Sequence, residues 1–231
     1  MDVILVPGLW LDASTWDDVV PPIEAAGHTV HALTMPGVGA DADGAGGVGI
    51  AEWVAAVVAV VDTVPGPIAL VGHSGGGNVA WGAADARVDR IDRVVFVDTF
   101  PPAGGGIISE FPIVDGVVPF PGWDSFESAD VADLDAETRQ KWAARAAAVP
   151  ARVPTDPIAL SDPRRLSLRT TMITGTFPDV AVREVIAAAP PWAADLAALE
   201  HLDIVEIASG HWPQFSMPRA LGETIASALT A

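Results

Sequence analysis

The 231-residue sequence contains no cysteine and a single lysine, Lys141. Without cysteine there is no thiol nucleophile, no thiolate metal site and no redox pair, so whatever chemistry the chain performs runs on oxygen and nitrogen. This leaves the compartment open, and a cytoplasmic setting is the expectation. No Gly-Lys-Ser/Thr triplet exists, which excludes a P-loop nucleotide site. Basic residues are scarce altogether. Twelve stand against 30 acidic ones, and the resulting formal charge of -18 repels phosphate backbones and anionic lipid surfaces. The expected partner is a small-molecule substrate, with no nucleic acid and no membrane; the oligomeric state stays open.

Neither the first residues nor the longest uncharged stretch is expected to be an export or membrane signal. The start, Met1 to Gly8, has no basic region and too short an apolar run for a secretory signal, and reads as a first strand. The uncharged stretch Thr63 to Ala84 is long enough to cross a bilayer, but it carries six glycines, two prolines, His73, Ser74 and Asn78. It reads as strand, turn and helix. There is no internal repeat and no low-complexity tract.

What is present is a chain of about one and a half domain lengths, half of it apolar, which implies one domain with an insertion and a core that needs no staple. Short apolar runs alternate with helix-like runs. The candidate strands, Val3–Val6, Thr29–Leu33, Ile68–Val71, Val94–Val97, Thr171–Thr174 and Asp203–Ile207, are continuous rather than alternating, as expected of parallel strands covered on both faces. Helices are expected from Ser14 as N-cap to Gly27, kinked at Pro21-Pro22, over Ile50–Thr63, just after Ser74, and over Pro218–Leu229. The alternation stops after Phe100 for roughly 65 residues, far beyond a usual connection. Residues 1–100 and 169–231 therefore read as the core. Residues 101–168, with a helix around Ala136–Ala148, read as a mobile lid or cap over a cleft.

Gly72-His73-Ser74-Gly75-Gly76 fits G-x-S-x-G in the context that motif requires, with a strand before it and a helix after it. A serine on so sharp a turn needs neighbours without bulk, which Gly72 and Gly76 provide. The turn lifts the Ser74 hydroxyl above the sheet, and the following helix offers the Gly75 amide to a developing oxyanion. The competing reading is an ordinary glycine-rich turn with a solvent-facing serine. A hydroxyl needs a base, and the histidines are His28, His31, His73, His201 and His211. His211 directly follows the last strand, at the carboxyl edge that Ser74 occupies, and is the chosen base. His28 and His201 precede their strands, His31 lies inside one, and His73 reads as a packing residue.

With these residues in place, the sequence resembles the α/β-hydrolase family over essentially its whole length, in particular small, cofactor-free, esterase-like members. The resemblance rests on Val6-Pro7-Gly8-Leu9-Trp10, on Gly72 to Gly76 and on Gly210-His211-Trp212-Pro213, with Gly27 to Val30 and Pro36 to Gly39 resembling the family's second strand and turn. It implies an α/β fold with a reduced, mostly parallel sheet of about six strands, because the family's two N-terminal antiparallel strands are missing. It also implies that the Leu9 amide is the second oxyanion donor. The family commonly has His-Gly where this chain has Pro7-Gly8, so backbone rigidity must position the loop.

A carboxylate must hold the base in its productive tautomer. Asp179 follows the penultimate strand, where many members carry the acid, but one residue later than usual. Asp98 ends the fourth strand, a position some members use, and is preferred. The resemblance then implies a serine hydrolase acting on a small, largely apolar carboxylic ester or lactone, without metal or cofactor. Trp10, Trp212, Trp123 and Phe126 are candidates for the substrate cleft. A hydroxynitrile-lyase-like or perhydrolase activity with the same triad, or a ligand-binding protein with an inactive one, are the alternatives. Two other matches are set aside. Gly44 to Gly49 fits G-x-G-x-x-G but follows no strand directly. Asp41, Asp43, Gly46 and Glu52 fall at calcium-loop spacings but leave Ala45 at a ligand position.

Overall fold

The protein, described over residues 1–230 of a computed structural model, is built on a parallel sheet flanked by helices. Its strands are β1 (Asp2–Val6), β2 (Thr29–Ala32), β3 (Ile68–His73), β4 (Ile91–Val97), β7 (Arg169–Thr174) and β8 (Leu202–Glu206), in the spatial order β2-β1-β3-β4-β7-β8. A separate antiparallel pair, β5 (Val117–Val118) and β6 (Val149–Pro150), lies within the segment between β4 and β7.

The central strands are apolar throughout because both faces are covered. In β1, Ile4 and Val6 pack with Trp53 and Val57 of the helix Ile50–Thr63 and with Trp81 of the helix Gly75–Ala86. Val3 and Leu5 point the other way, toward Ile23 of the helix Val20–Ala25 and toward Leu221 and Ile225 of the helix Pro218–Ala228. Each such side chain, fully withdrawn from water, contributes about 2 kcal/mol. Two separate helical layers thus fix the sheet between them.

The first helical stretch differs from its expectation. Asp12, not Ser14, is the cap, its carboxylate accepting from the Ser14 amide at 2.8 Å above a short 3-10 turn, Ala13–Trp16. The α-helix begins only at Val20, with Pro21-Pro22 in its first turn. Proline has no N–H to give, so it suits a first turn, where none is required, and here it starts a helix instead of kinking one. Gly27, at φ +89°, stops it as expected. The helix expected around Ala136–Ala148 ends at Ala143, because the chain must turn there toward β6.

Parallel register places the functional loops. Val6 pairs with Gly72, His73 with Val97, and Val97 with Ile173, so these strands end level with one another. Everything that follows a strand end, Pro7 to Leu9, Ser74, Asp98, Gly175 and the loop after β8, therefore gathers at one carboxyl edge. The segment 101–168 is tied back to the core by a buried ion network. Arg165 bonds Asp85 at 3.1 Å and Asp195 at 2.8 Å, while Asp85 also accepts the Ser161 and Asp162 amides. Among the described residues, no helix is long and apolar enough to cross a membrane.

Candidate active site

Ser74 sits between β3 and its helix at φ 51°, ψ -128°, a conformation side chains rarely adopt, with its amide donating to the Val97 carbonyl at 3.1 Å. Space explains the glycines. A Cβ on Gly76 would stand 2.5 Å from the Pro7 and Val6 carbonyl oxygens, and one on Gly72 would stand 2.5 Å from that of Gly76. The backbone is thus held in its strained turn by neighbours that leave no alternative path.

The structure brings Asp98 to His211. The imidazole Nδ1 lies 2.6 Å from Asp98 Oδ2, and the carboxylate is almost wholly buried. Asp98 Oδ1 accepts the Gly175 and Thr176 amides at 2.8 and 2.9 Å, and Oδ2 also accepts the Thr176 hydroxyl at 2.8 Å. Burial opposes ionisation of this carboxyl. The hydrogen bond from His211, its charge, and the Thr176 and Gly175 amides outweigh that and hold Asp98 below the usual carboxylate range. Asp179 lies elsewhere. It opens the helix Asp179–Ala188, pairs with Arg183 at 2.9 Å, and its amide donates to Glu206. Sequence alone had no way to find Thr176, since its bond to Asp98 joins the ends of neighbouring strands.

His73 is sealed beneath this pair. Its Nε2 lies 2.7 Å from the His211 carbonyl, which can only accept, so Nε2 carries the proton and Nδ1 accepts from the Gln214 amide at 3.3 Å. Burial first, and then the charge of His211, push its pKa down to about 3, against smaller opposing contributions from its bond to the His211 carbonyl and from Asp98. Its folded pKa therefore lies below the unfolded value near 6.5. The unfolded chain takes up a proton that the folded chain refuses, and stability falls as pH drops from 6.5 toward 3. The expected loss is about 1.4 kcal/mol per pH unit, read by urea unfolding at pH 7 and pH 5. His73→Gln, which keeps a donor, should flatten that slope; an unchanged slope would contradict the assignment.

Ser74 and His211 line one cavity of about 180 Å³ with Leu9, Trp10, Ile108, Ser109, Phe111, Phe126 and Trp212. Leu9 and Gly75 are neighbours there, since a Cβ on Gly75 would meet the Leu9 side chain at 3.3 Å. Three of the four aromatic candidates thus reach the cavity. Trp123 does not. It backs Trp212 at 5.0 Å between ring centres, and its indole is spent on the Arg139 carbonyl at 2.7 Å. Ile108, Ser109 and Phe111 were not anticipated, because they come from an irregular stretch with no periodicity to read. Of the other histidines, His31 pairs with Asp2 at 2.9 Å and His28 lies against the N-terminal amine, both far from the carboxyl edge. Asp41 and Glu52 are committed to the Gly44 and Gly49 amides. Among the described residues, no group of three or more His, Asp or Glu is placed to hold a metal ion.

Comparison with known proteins now decides the family. A sequence profile of the alpha/beta hydrolase family matches residues 3–224. The chain belongs to that family. Methylesterase 8 of Arabidopsis thaliana is 34% identical over 102 residues, a stretch that is 43% of this chain and 38% of that protein. A carbendazim hydrolyzing esterase from Nocardioides sp. (strain SG-4G) is 33% identical over 104 residues, 44% of this chain and 43% of its own. The chain therefore matches less than half the length of these curated relatives. An extracellular α/β-hydrolase from a Paenibacillus species superposes with a TM-score of 0.76 at 20% identity, over 100% of this chain and 98% of that one, and so shares the α/β-hydrolase fold.

Proposed function

We propose that this α/β-hydrolase is a serine esterase that cleaves a small, largely apolar carboxylic ester or lactone through an acyl-enzyme. The observation that carries the reading is the meeting, in one apolar cavity, of a serine on a strained turn and a histidine whose Nδ1 is held by a buried carboxylate. The names of the two relatives, both esterases, support the ester as the bond attacked.

In this mechanism His211 takes the Ser74 proton as the hydroxyl oxygen attacks the carbonyl carbon. The negative charge that moves onto the carbonyl oxygen is met by the Leu9 and Gly75 amides, donors supplied by the loop after β1 and by the start of the helix after Ser74. Asp98 keeps the imidazole in the tautomer that accepts the proton and stabilises the imidazolium that results. Collapse breaks the bond to the leaving alkoxide, which takes the proton from His211. A water molecule, deprotonated in turn by His211, then frees the acid and restores Ser74. Asp179, by its place in the fold, is left out.

A cavity of about 180 Å³ equals roughly six water volumes at ~30 Å³ each. Its aromatic and aliphatic lining favours a compact acyl group without charge. The segment 101–168, in this reading, is the lid, since it contributes Ile108, Ser109, Phe111 and Phe126 to the walls. A panel of esters and lactones of graded acyl length tests the proposal. Turnover should be best for acyl groups of about six heavy atoms or fewer and fall steeply beyond; cyanohydrin cleavage with no ester turnover would overturn it.

A further inference from the structure

The segment between β4 and β7 reaches past the cavity wall to the loop that carries His211. The Gly210 amide donates to Asp133 Oδ2 at 2.8 Å, and the next amide, that of His211, donates to the Asp130 carbonyl at 2.8 Å. Asp130 belongs to the short helix Ser128–Val131, and Asp133 lies in the turn just after it. Gly210 admits this approach because it has no side chain: a Cβ there would collide with the Asp130 carbonyl and stand 2.6 Å from Asp133 Oδ1. On the inner side, His73 holds the His211 carbonyl at 2.7 Å. The peptide groups before and after the histidine are therefore both fixed, one from the segment and one from the core.

Apolar packing reinforces the outer grip. Val131 and Leu134 bury themselves with Leu11 and Trp212, and Phe126 meets the Trp212 ring at 4.8 Å. The same segment also holds the other side of the site. Its Ala147 amide donates to the Trp10 carbonyl at 2.9 Å, and the Trp10 indole donates to the Val118 carbonyl at 3.3 Å. Trp10 stands at φ 65°, a conformation costly for a bulky residue and maintained here by these bonds.

We propose that Asp133 is a positioning residue for His211: its carboxylate, by fixing the Gly210 amide, sets the imidazole's place relative to Ser74 and makes catalysis depend on the segment being docked. This rests on the reading of His211 as the base. A bond from an amide to a carboxylate is among the stronger ones, and small displacements of a base are costly. Asp133 faces water on its outer side, and water competes for the amide once the carboxylate is gone.

The test compares Asp133→Ala, Asp133→Asn and His211→Ala with the wild type, in kcat, KM and the pH dependence of kcat/KM on the best ester of the panel. Asp133→Ala should lose about tenfold in kcat at unchanged KM and shift the acidic limb of the pH profile. Asp133→Asn, which still presents an acceptor, should recover most of the loss. His211→Ala should be inactive. If Asp133→Ala matches the wild type, or raises KM alone, while His211→Ala is inactive, the positioning role is overturned and the esterase reading stands. If His211→Ala retains full activity, the base assignment itself fails, and this proposal with it.

Discussion

Ser74→Ala is expected to lower ester turnover by about a million-fold while leaving the fold and substrate affinity intact. The elbow conformation does not come from the hydroxyl. It comes from the Ser74 amide bonded to Val97 and from the glycines packed against the Val6 and Pro7 carbonyls. Alanine fits the same turn with the same strain. In the proposed mechanism the hydroxyl oxygen forms the covalent bond, so its removal leaves the base with nothing to deprotonate. Stopped assays on purified wild type and variant, with thermal unfolding to confirm equal stability, measure the ratio. Activity within tenfold of wild type would mean that the nucleophile lies elsewhere.

Asp98→Asn should lose on the order of 10⁴ in turnover, whereas Asp179→Asn should stay within a few-fold of wild type. Asp98 Oδ1 faces two amide donors, and Oδ2 faces the Thr176 hydroxyl and His211 Nδ1. An asparagine must turn its NH2 toward one of these pairs. If it points at the backbone amides, two sets of donors oppose each other. If it points at His211, the imidazole must accept at Nδ1 and carry its proton on Nε2, the tautomer that has no lone pair for the Ser74 proton. Asparagine tolerates the left-handed backbone at this position, φ 47°, as well as aspartate does, so the loss reflects the tautomer and not a refolded turn. Asp179 has only an exposed partner, Arg183, and loses little by becoming neutral. Parallel kcat/KM measurements decide the ranking. A reversed order would place the acid after β7.

Much of this arrangement was legible in the chain because it follows from local rules. Strands buried on both faces announce themselves as unbroken apolar runs, and each of the six expected ones is found within about three residues of its place. The elbow was readable because G-x-S-x-G imposes its own turn, and His211 because strand order puts the end of the last strand at the same edge. For the acid the sequence offers two aspartates, Asp98 and Asp179, and the rigid end of the fourth strand favours Asp98. What distinguishes Asp98 is a set of donors, Gly175, Thr176 and His211, separated from it by more than seventy residues. The first helix was misread because Ser14 and Asp12 are both competent caps, and because a proline pair looks the same in sequence whether it kinks a helix or begins one. Trp123 is a cleft candidate only through its place in the segment 101–168, and sequence nearness carries no side-chain direction; the ring stands against Trp212, with its indole on the Arg139 carbonyl. Asp133 left no signature at all, being one of many acidic residues on an acidic chain.

Covalent capture asks whether Ser74 is an activated nucleophile. Folded protein is treated with a fluorophosphonate near pH 7.5, and the adduct is located by peptide mapping beside Ser74→Ala and His211→Ala. One adduct per chain is expected, on Ser74, slowed about a thousand-fold or more without His211 and absent without Ser74. No labelling of the folded wild type, or labelling that survives Ser74→Ala, would contradict that role of Ser74.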